Sequence, residues 1–235
     1  MRELIASGLA QLGITPPAGS VEALEQYANL LLEQNKVMNL TAITQPDQVA
    51  TLHFLDSAAL LKAVDTQDKR VIDVGTGAGF PGLPIRILDS SVQLILLDSL
   101  GKRVNWLSQV CDQLGLEGVN CLHARAEEQA LVAGFRDSFD LAVSRAVAPM
   151  SLLCELCLPY VKVGGRFVAM KAVDCGEEIS SAARGIGRLG GKLLPSVDYT
   201  IPHTQVTHRL VMVEKCAPTP KGYPRRWAKI QKAPL

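Results

Sequence analysis

From Lys69 onward the chain alternates two kinds of segment, and that alternation limits its fold more than any other feature. Apolar runs of strand length stand at RVIDVG, VQLILLD, VNCLHA, FDLAVSR and GRFVAMK, with a last one at RLVMVEK. Stretches with helical spacing separate the first five: LPIRILDS, KRVNWLSQVCDQLG, a short one after Glu127, and MSLLCELCLPYV. Strands that are apolar on both faces need cover from both sides, so the pattern predicts a mostly parallel, doubly wound α/β sheet. GEEISSAARGIGRLGG then reads as a further helix. Two strands joined through IPHTQVTHR follow it, a pair expected to lie antiparallel at one edge.

The first 65 residues carry helical rather than strand-like patterning. In VEALEQYANLLLEQ, Val21, Leu24, Tyr27 and Leu31 recur at the spacing of one buried face. Ser20 is the expected N-cap, and Pro16 and Pro17 separate this helix from a shorter one ending near Gly13. A third helix is expected over VATLHFLDSAALLKAV, with His53 as a packed or capping side chain. The expected organisation is a helical segment over 1–65, an α/β domain over 66–215 and a basic tail over 216–235, the last a flexible extension.

No apolar run has the length of a membrane span, and MRELIASGLAQLG lacks the cationic start and long apolar core of a signal peptide, so a cytoplasmic location is expected. The six cysteines then read as reduced thiols. Cys154 and Cys157 form a CxxC, but at helical spacing in an apolar stretch and without a second such pair, so they are expected to be buried and structural, and no metal site is visible. Net charge is only +1, yet it is unevenly placed. The last 20 residues hold Lys221, Arg225, Arg226, Lys229 and Lys232 and no acid, leaving 19 basic against 23 acidic residues in the body.

The stretch VIDVGTGAGFPGLP places Gly75, Gly77 and Gly79 directly after the first strand, where a ligand must approach the backbone closely. A dinucleotide fingerprint would have G-x-G-x-x-G, but here the spacing is G-x-G-x-G, with Phe80 in the third glycine's place. Pro81 and Pro84 are expected to delay the helix and weaken a phosphate site at its start. The flanking acids suggest another cofactor. Asp73 lies just before the loop, as an acid near a cationic sulfonium amino acid would, and Asp98 ends the second strand, where a carboxylate accepts from ribose hydroxyls. Glu127 follows the third strand, with Ala126 beside it to pack on a flat base. Together these describe a pocket for S-adenosylmethionine, although Asp98 or Glu127 taken alone reads better as a helix-capping acid.

Strand four ends in SRAVAP, without the Asn/Asp-Pro-Pro-aromatic pattern of enzymes that methylate exocyclic amines. Guanine N7 is a ready lone-pair nucleophile and asks only for orientation. Arg145 and Lys171, ending strands four and five, are where donors to a base or phosphate would sit, the alternative being solvated charge.

NLTAI at 39–43, HFLDS at 53–57, DVGTGAGFPGLP, LLDSLGKR, RAEE, SRA, MK and the terminal YPRRWAKIQKAPL together resemble the bacterial small-subunit rRNA guanine-N7 methyltransferase family, RsmG or GidB, over nearly the whole chain. The resemblance implies a Rossmann-like class I methyltransferase fold with a helical N-terminal segment. It implies methylation of guanine 527 in the 530 loop of 16S rRNA, as free RNA or within the 30S subunit. It further implies cofactor contacts from Gly75, Phe80, Asp98, Ser99, Leu100, Ala126, Glu127 and Arg145. That last role for Arg145 competes with base recognition. In the tail, Trp227 and Ala228 depart from the family pattern. Arg225, Arg226, Lys229 and Lys232, with Lys171, are the expected RNA contacts, and Trp227 or Tyr223 could stack on an unpaired base. Two other readings stay open: a methyltransferase for another RNA or a small molecule, and a cofactor-binding RNA module without turnover.

Overall fold

The computed structural model describes all 235 residues, Met1–Leu235. Helices α1 (Arg2–Gln11) and α2 (Ser20–Met38) open the chain. A continuous helical run follows, made of α3 (Pro46–Val49), a wider π-helical stretch (Ala50–Leu55), α4 (Asp56–Ala58) and a tight last turn (Ala59–Lys62). The alternating part comprises β1 (Arg70–Val74), α5 (Gly82–Leu88), β2 (Gln93–Asp98), α6 (Gly101–Gln113), β3 (Val119–His123), α7 (Ala126–Gln129), β4 (Phe139–Arg145), α8 (Met150–Cys157) and β5 (Val161–Ala172). Helix α9 (Gly176–Arg188), strands β6 (Gly191–Leu193), β7 (Val197–Thr200) and β8 (Thr207–Lys215), and a short α10 (Trp227–Lys232) complete it.

One sheet of eight strands runs in the order β3-β2-β1-β4-β5-β8-β6, with β7 also on β8. Strands β1 to β5 pair in parallel, and β8 lies antiparallel to β5, as the two-sided apolar runs and the closing pair predict. The outer edge of β8 is shared by two short pieces, β6 against Val213–Lys215 and β7 against Thr207–Leu210. Strand order reverses between β1 and β4, which opens a crevice at their carboxyl ends.

Two apolar cores cover the sheet. The larger, of 37 residues, runs unbroken from Ile5 in α1 through Tyr27, Phe54 and Leu60 to Val71, Leu96, Val168 and Met212 in the sheet. The first 65 residues therefore share their core with the sheet, supplying 16 of its 37 residues. The second packs Cys154, Cys157, Tyr160, Ile186 and Ile230 on the opposite face. Burial raises the Cys154 thiol to about 12 and holds Cys157 well above its ordinary value, which makes both inert packing groups. No helix is long and apolar enough to cross a membrane.

Three local expectations are corrected. Ser20 is the first residue of α2, behind a left-handed Gly19, and its hydroxyl donates to Ile87 O (2.9 Å) instead of capping. The prolines do not delay α5, which starts at Gly82 directly after Pro81; Pro84 sits in the first turn, where a proline is tolerated. The tail is not a loose extension. Arg136 donates to the carbonyls of Thr219, Pro220 and Tyr223. Lys215, wholly buried, donates to Asp137 (2.8 Å), Leu158 O and the Thr219 hydroxyl, and Ile230 is fully buried.

Candidate active site

Gly75, Gly77 and Gly79 all adopt left-handed backbone (φ +73°, +61° and +97°), where a Cβ costs roughly 1–2 kcal/mol. Their surroundings set them apart. Gly77 lines a cavity of about 390 Å³, and a Cβ there would meet nothing within 4 Å. Gly75 lines the same cavity, but a Cβ on it would strike Val147. Gly79 faces inward, where a Cβ would come within 2.5 Å of the Tyr27 hydroxyl. It lets the loop lie against α2, and Tyr27 donates to Ala78 O.

Two buried carboxylates shape this loop. Asp73 is fully buried, and its Oδ2 accepts from the Thr76 hydroxyl (2.7 Å) and from Gly82 N–H (2.8 Å), which closes the loop's two ends. Burial lifts its pKa to about 6, and its Oδ1 has no partner. It stands behind the cavity wall rather than in it. Asp98 does line the cavity: Oδ2 accepts from Gly77 N–H and Oδ1 from Leu100 N–H, each at 2.9 Å. One lone pair on each oxygen remains for a ligand.

Arg145 is held from three sides. Its Nη1 donates to Leu52 O (3.1 Å) and Asp56 Oδ2 (2.8 Å), its Nη2 donates to His53 Nδ1 (2.8 Å), and its guanidinium lies 4.9 Å from the Phe80 ring centre. His53 stacks on Phe80 at 4.3 Å. The π-helical stretch presents both Leu52 O and the His53 ring to this arginine, and such wide turns recur where a helix serves a site. Burial, reinforced by Arg145, lowers the His53 pKa to about 3, so the ring is neutral. Asp56 also accepts from Tyr199 Oη (2.7 Å) and pairs with His208 Nδ1 (2.8 Å), tying the helical run to β7 and β8. Burial opposes its ionisation, but His208, Arg145 and Tyr199 together keep its pKa below the ordinary value. Lys171, by contrast, lies outside the cavity, with Nζ on Ala148 O (2.7 Å) and Glu178 (2.5 Å).

A second lobe of about 150 Å³ shares Gly75, Asp98 and Ser99 with the first. Ala126, the buried Glu127 and Trp227 wall it. Tyr160 fixes this corner by donating to Ala126 O (2.6 Å), and Arg125 stands 3.6 Å from Glu127. The structure thus brings Gly75, Gly77, Phe80, Asp98, Ser99, Leu100 and Arg145 to one lobe, and Ala126 with Glu127 to the other. In the tail, Arg226, Lys229 and Lys232 are exposed, whereas Arg225 is clamped by Glu155, a wholly buried carboxylate that accepts its N–H (2.7 Å), Nε (2.8 Å) and Nη2 (2.6 Å). Thr41, His53 and Arg103 also line the lobes, and residue type alone gives none of them a role there; Trp227, expected to stack on an RNA base, instead walls the second lobe. The stretches NLTAI, HFLDS, LLDSLGKR and YPRRWAKIQKAPL were the available signal for them.

The donor set fits S-adenosylmethionine. An open glycine backbone and a carboxylate with free lone pairs stand between a small apolar wall with an acid and a guanidinium lobe, which suits a nucleoside joined to an amino acid. The model of the family described as rRNA small subunit methyltransferase G (GidB) matches residues 20–198. A Clostridium botulinum protein named ribosomal RNA small subunit methyltransferase G is 44% identical over 234 residues, 99% of this chain and 98% of that protein. Its namesake in Lachnoclostridium phytofermentans is 45% identical, covering 97% and 95%. Among solved structures, the YcgJ protein of Bacillus subtilis superimposes with a TM-score of 0.54 at 15% identity, over 70% of this chain and all of that one. M. jannaschii TYW2 in complex with AdoMet gives 0.50 at 14%, over 64% and 69%. The fold is that of the class I methyltransferases.

Proposed function

The chain belongs to the rRNA small subunit methyltransferase G family, an S-adenosylmethionine-dependent family, and from that premise we propose that it methylates N7 of guanine 527 in the 530 loop of 16S rRNA. The observation that carries the choice of atom is the lack of a free imidazole in the cavity. Both ring nitrogens of His53 are occupied, by Arg145 and by the Thr41 hydroxyl, and Asp98, held by two loop amides, keeps its remaining lone pairs for the ribose. An exocyclic amine must lose a proton, whereas N7 has none to lose, so such a site suits N7.

S-adenosylmethionine, when bound, supplies an activated methyl group on a sulfonium. The protein's contribution is then placement. Gly77 leaves the backbone open, Asp98 addresses ribose hydroxyls, and Ala126 and Glu127 flank the base. Arg145, fixed against Phe80, presents its remaining N–H groups to the amino-acid end. Arg226, Lys229 and Lys232 offer exposed charge to RNA phosphates, while Arg225 and Lys171 support the walls through their ion pairs.

The test incubates the protein with labelled S-adenosylmethionine and unmethylated 16S rRNA, naked and in 30S particles, then cleaves with borohydride and aniline at N7-methylguanine. A single cut in the 530 loop is expected. Label without a cut would move the acceptor to another atom, and no label in either substrate would favour another acceptor or a module without turnover.

A further inference from the structure

Hydrogen positions around Thr41 follow from counting donors. Arg145 has only donors, so His53 Nδ1, 2.8 Å from Nη2, must accept. The ring's single proton is therefore on Nε2, and Nε2–H donates to Thr41 Oγ1 at 2.9 Å. Ile43 N–H donates to the same oxygen at 3.1 Å. Both lone pairs of that hydroxyl are then used, and its own proton has no acceptor within the protein. Thr41 lines the 390 Å³ cavity. Its backbone is gripped by one side chain, Asn35, whose Nδ2 donates to Thr41 O and whose Oδ1 accepts from Thr41 N–H, both at 2.9 Å. Arg145 points the same way: three of its five N–H groups are spent on Leu52, Asp56 and His53, leaving Nε–H and one Nη2–H beside the cavity.

We propose that the Thr41 hydroxyl donates a hydrogen bond to an oxygen of the bound reactants, with His53 and Asn35 as the residues that position it. The inference rests on the reading of this cavity as the methyl-transfer site. Two oxygens have the required chemistry, the carboxylate at the cofactor's amino-acid end and O6 of the target guanine. Either makes Thr41 a selective contact, because a hydroxyl forced to donate rewards an acceptor and repels another donor.

The experiment compares wild type, Thr41→Val and Thr41→Ser in methyl transfer to a guanine-containing RNA, with cofactor affinity measured by calorimetry. Two altered reactants complete it: decarboxylated S-adenosylmethionine, and RNA with 2-aminopurine, which lacks O6, at the target position. Thr41→Val should slow transfer about ten-fold, and Thr41→Ser should restore it. If the Val penalty disappears with the decarboxylated cofactor, the carboxylate is the partner; if it disappears with 2-aminopurine, O6 is. A penalty that persists with both, or no penalty at all, overturns the proposal, since a merely structural hydroxyl cannot sense which reactant oxygen is missing. A wild type that leaves guanine RNA unmethylated would sink the functional reading, and this inference with it. Asn35 grips only the backbone of residue 41, so the turn retains that support in each variant, and Thr41→Ala repeats the test should Val not fold.

Discussion

Gly77 and His53 sit within one cavity wall and respond to different tests. At Gly77 a Cβ has open space but unfavourable backbone, so Gly77→Val should cost about 1–2 kcal/mol of stability. The isopropyl group would then occupy cofactor space, and affinity should fall more than about ten-fold in calorimetry. A folded variant with unaltered affinity would remove this loop from the site. His53 has its native pKa depressed from 6.5 to about 3, so its contribution to stability is complete above pH 6.5 and is lost as pH falls from there. Asp73, raised to about 6, acts in the opposite sense, gaining stability as pH drops below 6. The informative comparison is therefore with His53→Gln, which keeps Asp73. Between pH 6.5 and 5 the variant should gain about 2 kcal/mol on wild type in urea titrations. Parallel profiles would mean that His53 is not held neutral by the fold. Asp98 and Glu127 were legible as site residues because one ends β2 and the other lies in the first turn of the short helix after β3. Thr41 and His53 had no such marker, since their places depend on a helical run folding back over β1 and β4.

The C-terminal helix shows how one ion pair can order an element. Five cations without an acid read as a flexible extension contacting RNA, yet Arg225 spends its charge on the buried Glu155 in α8. Glu155 is part of MSLLCELCL, and nothing in that apolar stretch signals that its one acid faces inward toward the tail. Arg225→Ala should leave a buried carboxylate unpaired and cost about 3 kcal/mol or more in chemical denaturation. Arg226→Ala and Lys229→Ala, both exposed, should stay within about 0.5 kcal/mol of wild type. Together they should flatten the salt dependence of rRNA binding, lowering the log–log slope by about one for each phosphate left unneutralised. If Arg225→Ala were neutral and Arg226→Ala unfolding, the two arginines would have to exchange roles. The central strands β1, β2, β4 and β5 were readable from apolar runs, because a strand covered on both faces has no other composition available. The breaks in edge pairing and the wide helical turn at His53 arise from tertiary packing and leave no local pattern.

The first 65 residues supply, with α5 and α6, the cover of one face of the sheet, with Ile5, Tyr27, Phe54 and Leu60 in the same core as Val71 and Met212. Residues 66–235 expressed alone should therefore bind ANS and lack a cooperative thermal transition. A sharp transition in that fragment would show that the sheet face needs no helical cover. The boundary near residue 65 was visible as a change of period, but period could not say that the two parts share an interior. The far side of the sheet has another consequence. β8 meets no full-length strand at its outer edge, only three residues of β6 and four of β7, separated by a stretch containing Pro195. A proline donates no ladder hydrogen bond, and two fragments offset by a break present no straight row of amides and carbonyls. Another chain arriving at that side finds nothing long enough to zip against, so this edge of the sheet resists extension by a further strand.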